Sequence, residues 1–201
     1  MRVGLILGSV RHSSNSPGIL KFLESLVRQH RANIDLDVIH LLHSPNHPLP
    51  YAIEDVAPAA HDRATLPDGY ADPKVRAWSA TVMKWDAVLV VSPEYNWGIP
   101  GILKNTFDHL YGEWVGKPAG IITFGSRGGS NCAEALKTVL GKGLRMSVVD
   151  KNVMISLPVE YIMTQKRLQG DEEVVTEHEG EIVELVEELV KRHQIPQEVP
   201  A

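Results

Sequence analysis

Three nearly pure apolar runs, at residues 3–7, 87–91 and 119–124, constrain this chain more than any other feature. None alternates apolar with polar residues, so none suits a strand with one wet face. Each fits a strand buried on both faces, as in a parallel sheet covered by helices. Each run also stops at a loop dense in glycine, serine or proline, and apolar residues at helical spacing follow. Ile19, Leu20, Leu23, Leu26 and Val27 mark the first such helix. Leu103, Thr106, Phe107 and Leu110 mark one over 102–110, and Ala133, Leu136 and Leu140 mark another. Strand and helix in alternation predict a three-layer α/β fold around a parallel sheet.

With 201 residues the chain has enough length for one domain with a good core and too little for two, so residues 1–201 read as a single domain. Residues 34–42 form a less apolar second strand, suited to a sheet edge. Two short runs, 146–149 and 153–157, compete for the fifth strand; the second is favoured, with the first leading in or pairing separately. Asp72 caps a helix that opens on Pro73 and aligns Val75, Trp78, Val82 and Trp85 for core or interface packing. Asn131 with Glu134, and Thr176 with Glu179, have the spacing of capping boxes. The second precedes a final amphipathic helix carrying Ile182, Leu185, Val186 and Leu189. Residues 43–72, with five prolines, hold either an unplaced short helix or a functional flap. Residues 159–178 show no clear pattern.

A formal charge of -5 argues against a general nucleic-acid or anionic-membrane surface. One cysteine, Cys132, excludes an internal disulfide and a cysteine-only metal site. No apolar run approaches the roughly 20 residues of a membrane span, and the amino-terminal run is too short for a signal peptide. A cytoplasmic protein is the default expectation. The nine histidines offer no H-x-x-x-H on a helix, and no metal site is expected.

The loops after the three runs carry the chemistry, and in a parallel sheet they gather at one edge. The first, from Gly8 to Pro17, offers the hydroxyls of Ser9, Ser14 and Ser16 and the guanidinium of Arg11 at a helix N-terminus, which suits one phosphate. A serine-rich turn that caps the helix is the alternative. Neither G-x-G-x-x-G nor G-x-x-x-x-G-K-[ST] is present. The second loop joins Pro93, Glu94, Tyr95, Asn96 and Trp97, apolar faces with polar edges, as a planar heteroaromatic ligand requires. The third, Gly125 to Asn131, has glycines that allow close backbone approach and an embedded Arg127; read alone, it is more simply a turn. Cys132 near a helix start reads as a buried, inert thiol.

Taken together, Gly8-Ser9-Val10-Arg11 with Ser14, Pro93-Glu94-Tyr95-Asn96 followed by Pro100-Gly101-Ile102-Leu103-Lys104-Asn105 and Asp108, and Gly125 with Gly128-Gly129 resemble the NADPH-dependent FMN reductases. These are flavodoxin-like quinone, azo-dye and chromate reductases, and the similarity spans residues 2–157. The resemblance implies a flavodoxin-like three-layer sandwich with a five-stranded parallel sheet in the order 2-1-3-4-5. It implies that FMN is the cofactor and NADPH or NADH the reductant, with a quinone, azo dye or free flavin accepting two electrons. By resemblance Ser9, Arg11, Ser14 and Ser16 bind the FMN phosphate, Ser16 standing where many members have asparagine. Pro93, Glu94, Tyr95 and Asn96 line the ribityl chain and ring, and Ser126, Arg127, Gly128 and Gly129 approach its polar edge. Many relatives carry an aromatic residue near position 127. The flavin supplies the redox chemistry, so no catalytic acid or base is expected. The alternative function is a flavodoxin-like electron carrier or redox-sensing partner protein.

The family also implies a homodimer or homotetramer with the cofactor near a subunit boundary. Phe107, Leu110, Tyr111 and Trp114 crowd one short stretch, which a small domain covers only in part. Trp97 and Trp114 are therefore expected to line the substrate site or an interface, the alternative being that Trp114 packs under the 112–118 loop.

Overall fold

The computed structural model describes residues 1–195. β1 (Arg2–Leu7) leads to α1 (Ser16–His30) and β2 (Asp35–His40). After a long connection come α2 (Pro73–Val82), β3 (Ala87–Pro93), α3 (Gly101–Asp108), β4 (Pro118–Gly125) and α4 (Ser130–Lys137). The chain continues through β5 (Ser147–Val148), β6 (Val153–Ser156), α5 (Val159–Met163), α6 (Glu173–Thr176) and α7 (Glu179–Gln194).

The sheet runs β2-β1-β3-β4-β5 with every pairing parallel, the flavodoxin-like order that the family resemblance implies. β6 also pairs with β4, opposite Ile122 to Gly125, while β5 lies opposite Pro118 and Ala119. The two runs that compete for the fifth strand thus share its position, one after the other. β2 is the edge strand its mixed composition predicts.

Burial explains the apolar runs. Along β3 every residue is buried. Val88 and Val90 join a core with Trp78, Trp85, Phe107 and Trp114 under α2 and α3, whereas Leu89 and Val91 join Ile19, Leu23, Ile182 and Leu185 under α1 and α7. Alternate side chains enter opposite cores, so neither face tolerates polar residues. Asp72 caps α2 as expected, accepting from Lys74 N at 2.7 Å and Val75 N at 3.3 Å. The 43–72 segment has two single turns of 3-10 helix, Pro58–Ala60 and Arg63–Thr65. It is pinned to α3: the Pro50 carbonyl accepts from Asn105 Nδ2 at 3.1 Å and His109 Nε2 at 2.8 Å, while Leu49 and Tyr70 are buried in the core.

Three expectations need correction. Trp114 and Leu110 are buried in the single chain, so neither forms a surface patch. The Trp114 ring packs at 5.5 Å from Phe107 and 6.0 Å from Trp78, filling the space under the 112–118 loop. The Asn131–Glu134 box does not form either. Gly129, at φ 73, occupies the cap position of α4, and the acceptor comes from a neighbouring loop. Nor does Thr176 cap α7: it ends α6, and His178 precedes α7 with Nδ1 2.6 Å from Glu181 Oε2.

Candidate functional site

The loops after β1, β3 and β4 leave the same edge of the sheet, and direct contacts join them. At the first, Gly8 N donates to Val91 O at 2.8 Å, and a Cβ at Gly8 would lie 2.8 Å from Ser92 Oγ. Only glycine lets the chain turn so close to β3. The Ser9 hydroxyl lies 3.1 Å from the Tyr95 hydroxyl, and the Arg11 guanidinium stands 5.1 Å from the Tyr95 ring centroid. Ser14 Oγ accepts from Ser16 N at 3.1 Å and donates to Ser16 Oγ at 3.1 Å, closing the first turn of α1. Ser9, Arg11, Ser14 and Ser16 all line one hollow of about 190 Å³, together with His40 and His43 from the end of β2 and the turn after it. The structure thus brings together the four residues singled out for a phosphate, and adds two histidines that the sequence left unassigned.

The second loop is a tight turn in which Tyr95 N donates to Gly98 O at 3.1 Å and Gly98 N to Tyr95 O at 3.0 Å. Its central residues, Asn96 at φ 47 and Trp97 at φ 66, both occupy the left-handed region, as a type I′ turn requires. Asparagine accepts that conformation easily; tryptophan does so with strain. Trp97 is 69% exposed at the tip, with the Arg127 guanidinium 5.6 Å from its ring centroid. Arg127 of the third loop therefore stands over an aromatic residue of the second.

Glu94 points across to the third loop. Its Oε2 accepts from Asn131 N at 2.9 Å and Cys132 N at 3.1 Å, neutralising N–H groups at the start of α4. Gly128 (φ 68) and Gly129 (φ 73) are buried below the exposed tip formed by Ser126 and Arg127. A Cβ at Gly128 would lie 2.9 Å from Met154 Cβ, and the Gly128 carbonyl accepts from Thr123 Oγ1 at 2.7 Å. Cys132 is buried, and burial pushes its thiol up to about 11, which makes it the inert thiol expected.

Two further residues brace the first loop. Asn15 Nδ2 donates to Tyr161 O at 2.9 Å, and its Oδ1 accepts from Leu168 N at 3.1 Å. Arg167 Nε donates to Ser13 O at 2.9 Å and Nη1 to Thr164 O at 2.7 Å, beside a second hollow of about 40 Å³ between Arg11 and Tyr161. Neither strut was legible in the sequence, because residues 159–178 lack periodicity.

A hollow of about 600 Å³ between the β5–β6 bend and α7 contains none of these loop residues. Its charged groups are already paired: Lys151 with Glu184 at 2.7 Å, Lys191 with Glu188 at 3.7 Å and Glu187 with Arg31. None of the three loops reaches that hollow, and the three-loop edge, where aromatic, hydroxyl and guanidinium groups converge, is the candidate site. Among the described residues, no group of three or more His, Cys, Asp or Glu is placed to hold a metal, and no helix is long and apolar enough to cross a membrane.

Residues 1–158 match the family described as NADPH-dependent FMN reductase. An NAD(P)H-dependent FMN reductase of Saccharomyces cerevisiae is 35% identical over 193 residues, covering 95% of this chain and 97% of the relative. Another, from Schizosaccharomyces pombe, is 34% identical over 166 residues, 81% of this chain and 76% of the relative. Among solved structures, the flavoenzyme NAD(P)H:(acceptor) oxidoreductase FerB of Paracoccus denitrificans superposes with a TM-score of 0.68 at 23% identity, over 95% of this chain and 98% of that one, a likeness of fold. The glycine-bearing first loop, the Pro93–Asn96 turn and the paired glycines at 128 and 129 all lie inside the matched residues, and the chain belongs to the NADPH-dependent FMN reductase family.

Proposed function

We propose that this chain is an NAD(P)H-dependent FMN oxidoreductase that passes two electrons to quinones or similar small acceptors. The observation that carries the reading is the joining of three loops at one sheet edge, through Ser9 to Tyr95 and through Glu94 to Asn131 and Cys132. The donor set fits FMN: three hydroxyls and a guanidinium for a phosphate, an aromatic turn for the ring and a glycine loop for its polar edge. In this reading Ser9, Arg11, Ser14 and Ser16 hold the phosphate. Pro93, Tyr95 and Asn96 flank the ribityl chain and ring, and Ser126, Arg127, Gly128 and Gly129 meet the pyrimidine side. Glu94 acts on the ring indirectly, by fixing the third loop against the second.

Bound FMN supplies the two-electron chemistry, so the protein needs no acid–base residue of its own. Arg11 offsets phosphate charge. Trp97 offers an exposed apolar face to a flat nicotinamide or quinone, and Arg127 stands beside it as a cation for nucleotide phosphate. The same proposal includes a homodimer or homotetramer, because Trp97, Val159 and Met163 leave large apolar surfaces bare. A light-scattering mass of one 22.2 kDa chain at micromolar concentration removes that part alone.

The test is anaerobic titration of FMN-reconstituted protein. NADPH or NADH should bleach the flavin band, a quinone should restore it, and turnover should be steady. Reduction only by another protein would identify an electron carrier instead, and failure to bind flavin would remove the proposal.

A further inference from the structure

The parallel register of β1 and β2 sets Leu7 beside His40, so His40 stands next to the point where the chain enters the phosphate loop. Beyond it the chain folds back. His43 N and Ser44 N donate to His40 O at 3.0 and 2.9 Å, and Ser44 Oγ accepts from His40 N at 2.8 Å. This closed turn places His40 and His43 in the lining of the hollow that Ser9, Arg11, Ser14 and Ser16 share.

The hollow between them, about 190 Å³, has room for about six waters at roughly 30 Å³ each, enough for a hydrated phosphate group. The hollow on the Arg167 side, about 40 Å³, holds little more than one water. No carboxylate lines the larger one, so nothing in its wall repels an anion or consumes the charge of Arg11. A metal would need more ligands than the wall provides, and no such group exists among the described residues.

We propose that His40 and His43 form the second half of the phosphate pocket and, with Arg11, bind the phosphomonoester of FMN through their imidazole N–H groups. The proposal rests on the FMN reading above and adds residues to it. Burial and the neighbouring His43 hold His40 below the ordinary imidazole range. A dianionic phosphate reverses that balance by favouring the imidazolium. The other charged or titratable side chains lining the hollow are Arg11 and His12, with no carboxylate among them. A phosphate bound there should therefore be accompanied by proton uptake at His40.

The experiment measures FMN and riboflavin affinity for flavin-free wild type, His43→Gln and His40→Gln at pH 6 and pH 8.5. Riboflavin lacks the phosphate, so the FMN-to-riboflavin ratio cancels general damage to the site. The phosphate's own ionisation, with a second pKa of about 6, is common to all three proteins and cancels between them. The expected result is a ratio about fivefold lower in His43→Gln than in wild type at pH 6, with the gap narrowing at pH 8.5. His43 is exposed and His40 half-buried, so agreement between the two variants guards against a folding artefact. Ratios unchanged by either substitution at both pH values overturn the histidine assignment and leave the FMN reading intact. Wild type that binds riboflavin and FMN equally overturns the phosphate pocket itself, and wild type that binds neither overturns both readings.

Discussion

The Glu94 carboxylate accepts the Cys132 N–H at 3.1 Å, so a side chain from the loop after β3 serves as the cap of the helix after β4. Asn131 N, at 2.9 Å, is the second donor to the same oxygen. A helix start exposes four N–H groups without intrahelical partners, and its dipole favours an anion there. Glu94→Ala removes the anion and strands both donors, and should cost about 1–3 kcal/mol of stability. Glu94→Gln keeps an acceptor and forfeits only the charge on the dipole, about 0.3–1 kcal/mol. Urea unfolding of the three proteins checks the order. Equal midpoints for wild type and Glu94→Ala would show that the contact does not bind the two loops together.

Arg11 is exposed, stands over the Tyr95 ring and has no ion-pair partner among the described residues, so its guanidinium can turn to a phosphate at little cost. Arg11→Ala should weaken FMN binding by about 1.5–3 kcal/mol, the range for hydrogen bonds to charged groups. Riboflavin affinity should change much less. Equal losses for both flavins would place Arg11 away from the phosphate.

Trp97 occupies φ 66 at a tip where glycine would be relaxed. Two truncations separate strain from contact, because both remove the indole and its stacking with Arg127. Trp97→Gly should be more stable than Trp97→Ala by about 1 kcal/mol, the penalty of the left-handed conformation for a residue with a Cβ. That order inverts the usual preference within strands and helices. Both variants should lose quinone turnover, because the apolar face is gone. Thermal melts and steady-state rates decide, and a more stable alanine variant would show that the backbone relaxes on truncation.

Much of this architecture is legible in residue order, because a strand between two helix layers tolerates only apolar side chains. Residues 3–7, 87–91 and 119–124 therefore announce both the sheet and its ligand edge. The gathering of Ser9, Arg11, Ser14 and Ser16 around one hollow was legible for the same reason, since they lie between a strand end and a helix start. Long-range partners were not. The spacing of Asn131 and Glu134 suggests a local cap, yet the acceptor is Glu94, 37 residues earlier in sequence. The contact of Asn15 with Leu168 spans 153 positions. Trp114 misled for a related reason: aromatic density beside a short helix reads as a surface patch, and only the packing of Trp78 from α2 and Phe107 from α3 around the ring buries it. His40 and His43 lacked any spacing signal, since their relation to the first loop depends on β2 pairing with β1.

His47 should set part of the acid limit of stability. Its Nδ1 is buried without a hydrogen-bond partner among the described residues, and its ring packs edge-on at 4.9 Å from Trp78. Burial, reinforced by Lys74, pulls its pKa down to about 4, whereas an imidazole in the unfolded chain titrates near ~6.5. Between those values the unfolded chain binds a proton that the folded chain refuses, so unfolding takes up protons and stability falls as pH falls. The contribution is fully present above pH ~6.5, declines through pH 5 and is exhausted below about 4. His47→Leu removes the titrating group while keeping apolar contact with Trp78. The drop in melting temperature between pH 7 and pH 5 should therefore be smaller in the variant, with tryptophan fluorescence following the transition. Other carboxylates and His40 act equally in both proteins, so the difference isolates His47. Parallel pH profiles would show that its ring swings into solvent before it charges.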